Sequence, residues 1–338
     1  MRATRKRFLS FKDGGFNMRA WFRVLSIVGL TIIFFPIQRL GAQLRSVRIA
    51  YPSVDVQYLP AHVAQAKGIF KAEGLDVELI VIRGARSGIQ ALLSGDVQFV
   101  LPIGPVLSAV WSGAELKILA QMVGMPTFSL IVRPEIQRVE DLAGKKIGVS
   151  IGGAPFAFVH ELLKANGIDP DKGVQYVNIP GAMPKVAALE NGLIAAAPLA
   201  PPGDFKATRA GFKRLVFFGD VIREISFTGL AATSKYVKEN PQAVERMVRA
   251  IVRATSLVRD NPDVAVGAMQ DYLKMTPDEA SETYRLLRRS FSPILTDGGL
   301  NNLASIVSSS SGTKPTKDPK DYIERTFLNR ALSDLAKK

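Results

Sequence analysis

The sequence predicts an α/β fold of two related lobes, each a mostly parallel sheet flanked by helices, with the chain crossing between them twice. Three observations lead there. Ala91-Leu92-Leu93-Ser94-Gly95 runs into Asp96-Val97-Gln98-Phe99-Val100 and then Pro102, and Ala188-Leu189-Glu190-Asn191-Gly192 runs through Leu193 to Ala197 and then Pro198. Each copy is a helix ending on glycine, a short apolar run and a proline. The echo extends upstream, where strand-like runs (Val47 to Ala50, Lys146 to Ser150) lead to helices opened by Pro60 or Pro155 and closed by Gly68 or Gly167. Finally, strand-like and helix-like segments alternate, the pattern of sheets whose parallel strands need helical crossovers.

Each element has its own local reason. Residues 47–51 alternate in polarity and read as a first strand. Pro60 then takes the first position of a helix whose apolar side is Val63, Ala66 and Phe70. Val77 to Ile82 is a continuous β-rich run, as a buried parallel strand requires. Ser87 is expected to cap a short helix to Leu93, followed by strands at Val97–Leu101 and Leu116–Ala120. Ser129 to Val132 reads as the strand that leaves the first lobe. The second copy begins at Val139 and closes near Leu215 to Phe218, and Thr228 to Thr233 brings the chain back. These two crossings are the hinge candidates.

The remainder is expected to be helical. Asn240-Pro241, Asn261-Pro262 and the capping box Thr276-Pro277-Asp278-Glu279 start three helices. Ser308 to Lys320 is rich in Ser, Gly, Lys and Pro and reads as a mobile segment. Ile323, Phe327, Leu328, Leu332 and Leu335 then form a helical stripe expected to pack on the first lobe. The expected divisions are residues 1–42 as a signal peptide, 43–130 as the first part of lobe 1, 131–226 as lobe 2, and 227–338 as the return to lobe 1 with the C-terminal helices.

The N-terminus supports the first division. Arg2, Arg5, Lys6, Arg7, Arg19 and Arg23 precede an apolar stretch from Val24 to Phe35 that Pro36 breaks, and Leu40-Gly41-Ala42 offers small residues before Gln43. This is the layout of a secretory signal, and the stretch is short against the ~20 residues a spanning helix needs. Met18 heads a more typical signal, and Arg39 keeps an uncleaved anchor as the alternative. The expected location is the periplasm. Residues 1–42 contribute +7 of the chain's +14, leaving +7. The remaining basic residues are dispersed and lack an aromatic stacking platform, which argues against nucleic acid. The absence of cysteine excludes disulfides, thiolate metal sites and cysteine nucleophiles.

In such sheets ligands bind beyond the carboxyl ends of strands, at helix N-termini with unsatisfied N–H groups. The candidates there are Ser53, Asp55, Gln57 and Tyr58; Arg83, Arg86 and Ser87; Gly104; Ile151, Gly152 and Gly153; and Pro198, with Thr127 beside a crossing. Gly152-Gly153 lets backbone N–H groups approach a ligand, and Arg86 opens a helix, where a cation is disfavoured unless an anion joins it. The first copy brings Asp55, Gln57, Arg83 and Arg86, whereas the second brings glycines and apolar residues. The first lobe is thus expected to choose the ligand and the second to close over it.

Catalysis finds little support. Gly148-Val149-Ser150-Ile151-Gly152 is a GxSxG string at a strand end, but the sole later histidine is His160, inside the following helix, so no separate base is expected at Ser150. His62 and His160 fit no metal-ligand spacing and are expected on solvated helix faces. No catalytic residue, metal or cofactor is assigned.

At this point the residues carry a resemblance. Val47 to Tyr51, Ala64-Gln65-Ala66-Lys67-Gly68-Ile69-Phe70-Lys71-Ala72-Glu73-Gly74-Leu75-Asp76-Val77, Gln90 to Val97, Glu140 to Val149 and Asn240-Pro241 resemble the nitrate/sulfonate/taurine-type substrate-binding proteins of bacterial ABC importers. The resemblance, over roughly residues 46–265, implies a periplasmic-binding-protein fold of the second type, in the thiamine-pyrimidine-synthase-like superfamily. It implies a monomer that closes two lobes on a small molecule and delivers it to a membrane permease. By position, ligand contacts fall on residues 53–58, Arg86-Ser87, near Gly104 and Thr127, and on 151–156 including Phe156. The apolar run from Ala195 to Pro202 favours an organic anion, sulfonate- or carboxylate-like, over nitrate. The superfamily also holds enzymes that make the thiamine pyrimidine from their own histidine and a bound cofactor, but those carry a cysteine-rich motif that this chain lacks. A receptor reporting ligand to a sensor is the other reading.

Overall fold

The computed structural model describes residues 44–337 apart from 152, 312, 313 and 317, so the expected signal peptide and Gly152 lie outside the described residues. Among the described residues ten strands form two sheets of five. The first contains β1 (Arg45–Tyr51), β2 (Leu75–Val81), β3 (Phe99–Pro102) and β4 (Leu116–Val123); the second contains β5 (Ser129–Val132), β6 (Lys146–Val149), β7 (Gln175–Asn178), β8 (Ala196–Leu199) and β9 (Lys213–Phe217); β10 (Thr228–Thr233) returns to the first. The orders are β2-β1-β3-β10-β4 and β7-β6-β8-β5-β9. In each sheet the fourth position holds a crossing strand, antiparallel to both neighbours. The two crossings therefore swap, each completing the sheet of the lobe it enters.

Lobe 1 carries α1 (Leu59–Ala66), α2 (Ile69–Ala72), α3 (Ala85–Ser94) and α4 (Ile103–Trp111). The expected single helix through Phe70 is broken at Gly68, which sits at φ 67°, a left-handed conformation that glycine adopts without steric cost. Ser87 does not cap α3; Gly84 does, at φ 94°, so the helix starts earlier. Lobe 2 carries α5 (Ala154–Ala165), α6 (Ala182–Glu190), α7 (Gly203–Arg209) and α8 (Phe218–Val221). Pro198, one of the candidates, lies buried inside β8 opposite Leu130. Strand β8 meets β6 at Ala196, so the proline lies past that pairing.

The helices α9 (Ser234–Glu239), α10 (Pro241–Asp260), α11 (Pro262–Leu273), α12 (Pro277–Leu287), α13 (Asp297–Ser311) and α14 (Arg325–Ala336) follow. Val244, Met247, Val248, Ile251 and Val252 make one buried face of α10, and α14 packs on α10 and β4 as its stripe requires. The mobile reading of Ser308 to Lys320 is corrected at its start, since Ser308 to Ser311 complete α13. That helix touches α4 of lobe 1 and α5 of lobe 2 and lies along the junction. Its start is tied to the second crossing, where Glu224 accepts bonds from Thr296 Oγ1 (2.6 Å) and Asn302 Nδ2 (2.9 Å). On the other flank Arg209 of α7 reaches Glu279 of α12 at 2.8 Å.

Candidate functional site

The loop after β1 builds the first half of the site. Asp55 and Gln57 are 7% and 3% exposed, unusual for such polar side chains, and each is explained by its partners. The Asp55 carboxylate accepts from the Ser53 hydroxyl and from Gln57 Nε2 at 3.3 Å. Gln57 Oε1 accepts in turn from Thr127 Oγ1 at 3.3 Å, and the Gln57 carbonyl accepts from Thr228 Oγ1 at 3.4 Å. Thr127 precedes the first crossing and Thr228 begins the second. The acid loop is thus bonded to both crossings.

Lobe 2 supplies a group that the sequence reading missed. Lys185, in the first turn of α6, is 4% exposed and its Nζ donates to Ser150 Oγ at 3.2 Å. Burial pulls its amine down to about 8, opposed by the charge of Asp55. Burial likewise pushes the Asp55 carboxyl above its usual range, opposed by the Ser53 hydroxyl, then Lys185, then Gln57. Each charge is felt by the other, yet they form no ion-pair contact within 4 Å. Opposite charges on opposite lobes are thus both dehydrated, and each lies in the field of the other.

The expectation that the second lobe brings only glycines and apolar residues is therefore corrected. A signal for Lys185 was present: a cation in a helix's first turn opposes the macrodipole, the argument that singled out Arg86. The expectation that no base reaches Ser150 also needs correction, because the Lys185 amine does. At neutral pH that amine is a donor, and the Ser150 hydroxyl itself donates to the Ile179 carbonyl at 3.4 Å. Neither proton is placed for deprotonating the serine.

The other candidates are dispersed. Arg83, Arg86 and Ser87 are exposed on the rim of lobe 1, and the two arginines have no hydrogen-bond or ion-pair partner among the described residues. Gly104 is buried, and a Cβ there would lie 3.5 Å from Val307 of α13, which covers it. Ile151 is 58% exposed, with its N–H bonded to Asn178 Oδ1 at 3.2 Å. Gly153 caps α5 with an extended backbone, and Phe156 on that helix packs edge-on against Tyr176 at 5.0 Å. Tyr58 is buried beside Asp55, and both burial and that carboxylate raise its phenol.

Neither histidine is a solvated helix-face residue. His62 stacks on Tyr272 with ring centroids 3.4 Å apart and meets Tyr51 edge-on at 5.3 Å, and burial lowers it to about 4. His160 is buried and its Nε2 lies 3.4 Å from Asp171. Among the described residues no cluster of three or more His, Asp or Glu could hold a metal, and no helix is long and apolar enough to cross a membrane.

Comparisons with known proteins place this geometry. A Brucella abortus protein named as a candidate binding protein is 27% identical over 314 residues, 89% of this chain and 96% of that one. The taurine-binding periplasmic protein of Escherichia coli is 28% identical over 231 residues, 66% of this chain and 69% of that one. The periplasmic aliphatic sulphonate-binding protein of E. coli matches with a TM-score of 0.68 at 14% identity, covering 84% of this chain and 99% of that one. The same fold carries the desulfurization enzyme DSZB, with a TM-score of 0.63 at 18% identity over 86% of this chain and 99% of that one. The two-lobed architecture with swapped crossings is thus that of the periplasmic-binding-protein-like neighbours. Residues 55–265, from Asp55 to the first turn of α11, match the family model described as NMT1/THI5 like, and the chain belongs to that family.

Proposed function

We propose that the protein is the extracytoplasmic solute-binding component of an ABC importer, and that it captures a small organic ligand bearing an anionic group by closing two lobes. The observation that carries this reading is the buried Lys185 amine of lobe 2 set against the buried Asp55 loop of lobe 1. An ammonium stripped of water is costly until an anion joins it, so a ligand seated there gains a charge-assisted bond and relieves that cost. Because Gln57 ties the acid loop to Thr127 and Thr228 at the crossings, contacts on both sides of the cleft bias the hinge toward the closed state.

Kinship supports the binder reading over the enzyme one, since the relatives named for a ligand are binding proteins. The same kinship supports a permease in the membrane as the partner that receives the ligand outside the cytoplasm, and the reading takes the binder to act as a monomer. A thermal-shift screen of sulfonates, carboxylates and pyrimidines on the purified protein tests the class. Stabilisation by an anion-bearing compound without its conversion is expected. Turnover of a stabilising compound would overturn the reading.

A further inference from the structure

We propose that the chain carries a second ligand site, outside the cleft, for a small phosphate monoester with an apolar body. The site is a cavity of about 620 Å³ beside the first crossing, within the size range of small-molecule sites. Arg259, Arg285, Arg288 and Arg289 line its lobe 1 side, and Phe217 and Asp220 its lobe 2 side. Met125, where the chain leads into the crossing, and Leu286 join Phe217 as the apolar part of the lining. Neither Asp55 nor Lys185 borders this cavity, so the inference stands apart from the cleft reading.

Charge decides what the cavity takes. Arg285, in the last turn of α12, is followed by Arg288 and Arg289 in the 3-10 turn Arg288–Ser290. All three are exposed, and none has a hydrogen-bond or ion-pair partner among the described residues. Arg285 and Arg289 stand four positions apart, a spacing at which like charges on a helix repel. Arg259 differs, because its Nε and Nη2 both donate to the Asp260 carboxylate, at 2.8 and 2.7 Å, and that pair is neutral. With Asp220 on the facing side, four arginines against two aspartates leave a net charge of +2. A phosphate monoester carries about −1.5 to −2 at neutral pH and three acceptor oxygens, which matches that excess and the three unengaged guanidinium groups. A sulfonate, with a single charge, leaves part of the excess uncompensated.

The arginine wall is fixed in place. Tyr284 Oη donates to the Arg259 carbonyl at 2.7 Å and ties α12 to the end of α10. The Gly124 N–H donates to the Ser290 carbonyl at 2.8 Å, and the Ser292 N–H to the Met122 carbonyl at 3.0 Å, so the 3-10 turn is tied to the end of β4. A ligand then has to order arginine side chains but not the backbone that carries them.

The test is calorimetric titration of the purified protein, at neutral pH and low salt, with phenyl phosphate and benzenesulfonate, which share a phenyl ring and differ in the charge of the head. Phenyl phosphate is expected to bind at least about tenfold more tightly. The double variant Arg285→Gln/Arg289→Gln, changed only at exposed side chains, is expected to weaken it at least about tenfold. Asp220→Asn is expected to tighten it about two- to threefold by removing a facing carboxylate. Arg48→Gln/Arg246→Gln removes the same charge from exposed positions outside the lining and is expected to stay within about twofold of the parent. Equal losses in the two double variants would mean general attraction to a basic protein and would overturn the site. A loss in Lys185→Met that the Arg285→Gln/Arg289→Gln variant does not share would put the phosphate in the cleft, with the same consequence. Benzenesulfonate binding as tightly as phenyl phosphate would overturn the phosphate class. No measurable binding of phenyl phosphate would overturn the inference and leave the cleft reading untouched.

Discussion

The two lobes share a strand order but divide the labour of the site. Lobe 1 holds its acid through a network, with Ser53, Gln57 and Thr127 all engaged around Asp55. Lobe 2 holds its amine through one hydroxyl, Ser150, and leaves it dehydrated. One side is held by several hydrogen bonds of its own, and the other by a single one. A repeated architecture therefore does not imply repeated chemistry: the register that aligns Ala91 with Ala188 sets Gly88 of lobe 1 against Lys185 of lobe 2.

The largest expected effect tests the lobes as frameworks. A Cβ on Gly229 in β10 would lie 2.0 Å from the Ala120 carbonyl, so Gly229→Ala should destabilise the seam of lobe 1 by about 3 kcal/mol. Strand β5, which fills the same position in lobe 2, contains no glycine. Urea denaturation read separately in the two lobes would show an asymmetric loss; an equal loss in both would mean that they unfold as one.

The next effect concerns the amine. Lys185→Met should raise the stability of the ligand-free protein by about 1 kcal/mol and weaken binding of an anion-bearing ligand at least about tenfold, read by denaturation and calorimetry. A fall in both would recast Lys185 as structural. Its titration gives a matching pH signature. The amine sits near 8 when folded against 10.5 unfolded, so between those values the unfolded chain holds more protons, and the stability cost of Lys185 fades as pH rises. Affinity runs the other way, falling about tenfold per pH unit above about 8, because the free protein must first take up a proton. Proton uptake seen by calorimetry in buffers of different ionisation enthalpy would sharpen this.

Smaller effects belong to the rims. The Arg209–Glu279 bridge joins the lobes, but the arginine side chain is 61% exposed, so Arg209→Ala should cost at most about 1 kcal/mol in stability and favour the open form in small-angle scattering. Arg86→Ala should be smaller still, a change in affinity within about threefold that salt abolishes, because an exposed charge acts from a distance.

What the sequence disclosed follows from how local each cause is. The crossing strands Ser129–Val132 and Thr228–Thr233 were legible to the residue, because a short β-rich run between turns depends on neighbours in the chain. Asp55, Gln57 and Thr127 were legible as residues at strand ends and hinges, but not their bonding, since Gln57 to Thr127 spans seventy positions. Lys185 was passed over because Ala-Met-Pro-Lys-Val-Ala-Ala-Leu-Glu reads as an ordinary amphipathic helix with its lysine in water. Its helix packs on β6, β8 and α7, and its amine bonds Ser150 after β6, neighbours that no window of that length contains. His62 was misplaced for the same reason, as its stacking partner Tyr272 lies in α11.

The swapped crossings also set an order of assembly. All five strands of the second sheet lie between Ser129 and Phe217, whereas the first sheet needs Thr228–Thr233 to fill the place between β3 and β4. A chain emerging from its N-terminus can therefore complete the later lobe while the earlier one still carries two unpaired strand edges. Those edges are the hazard of this design during synthesis, and the return strand is the piece that ends it.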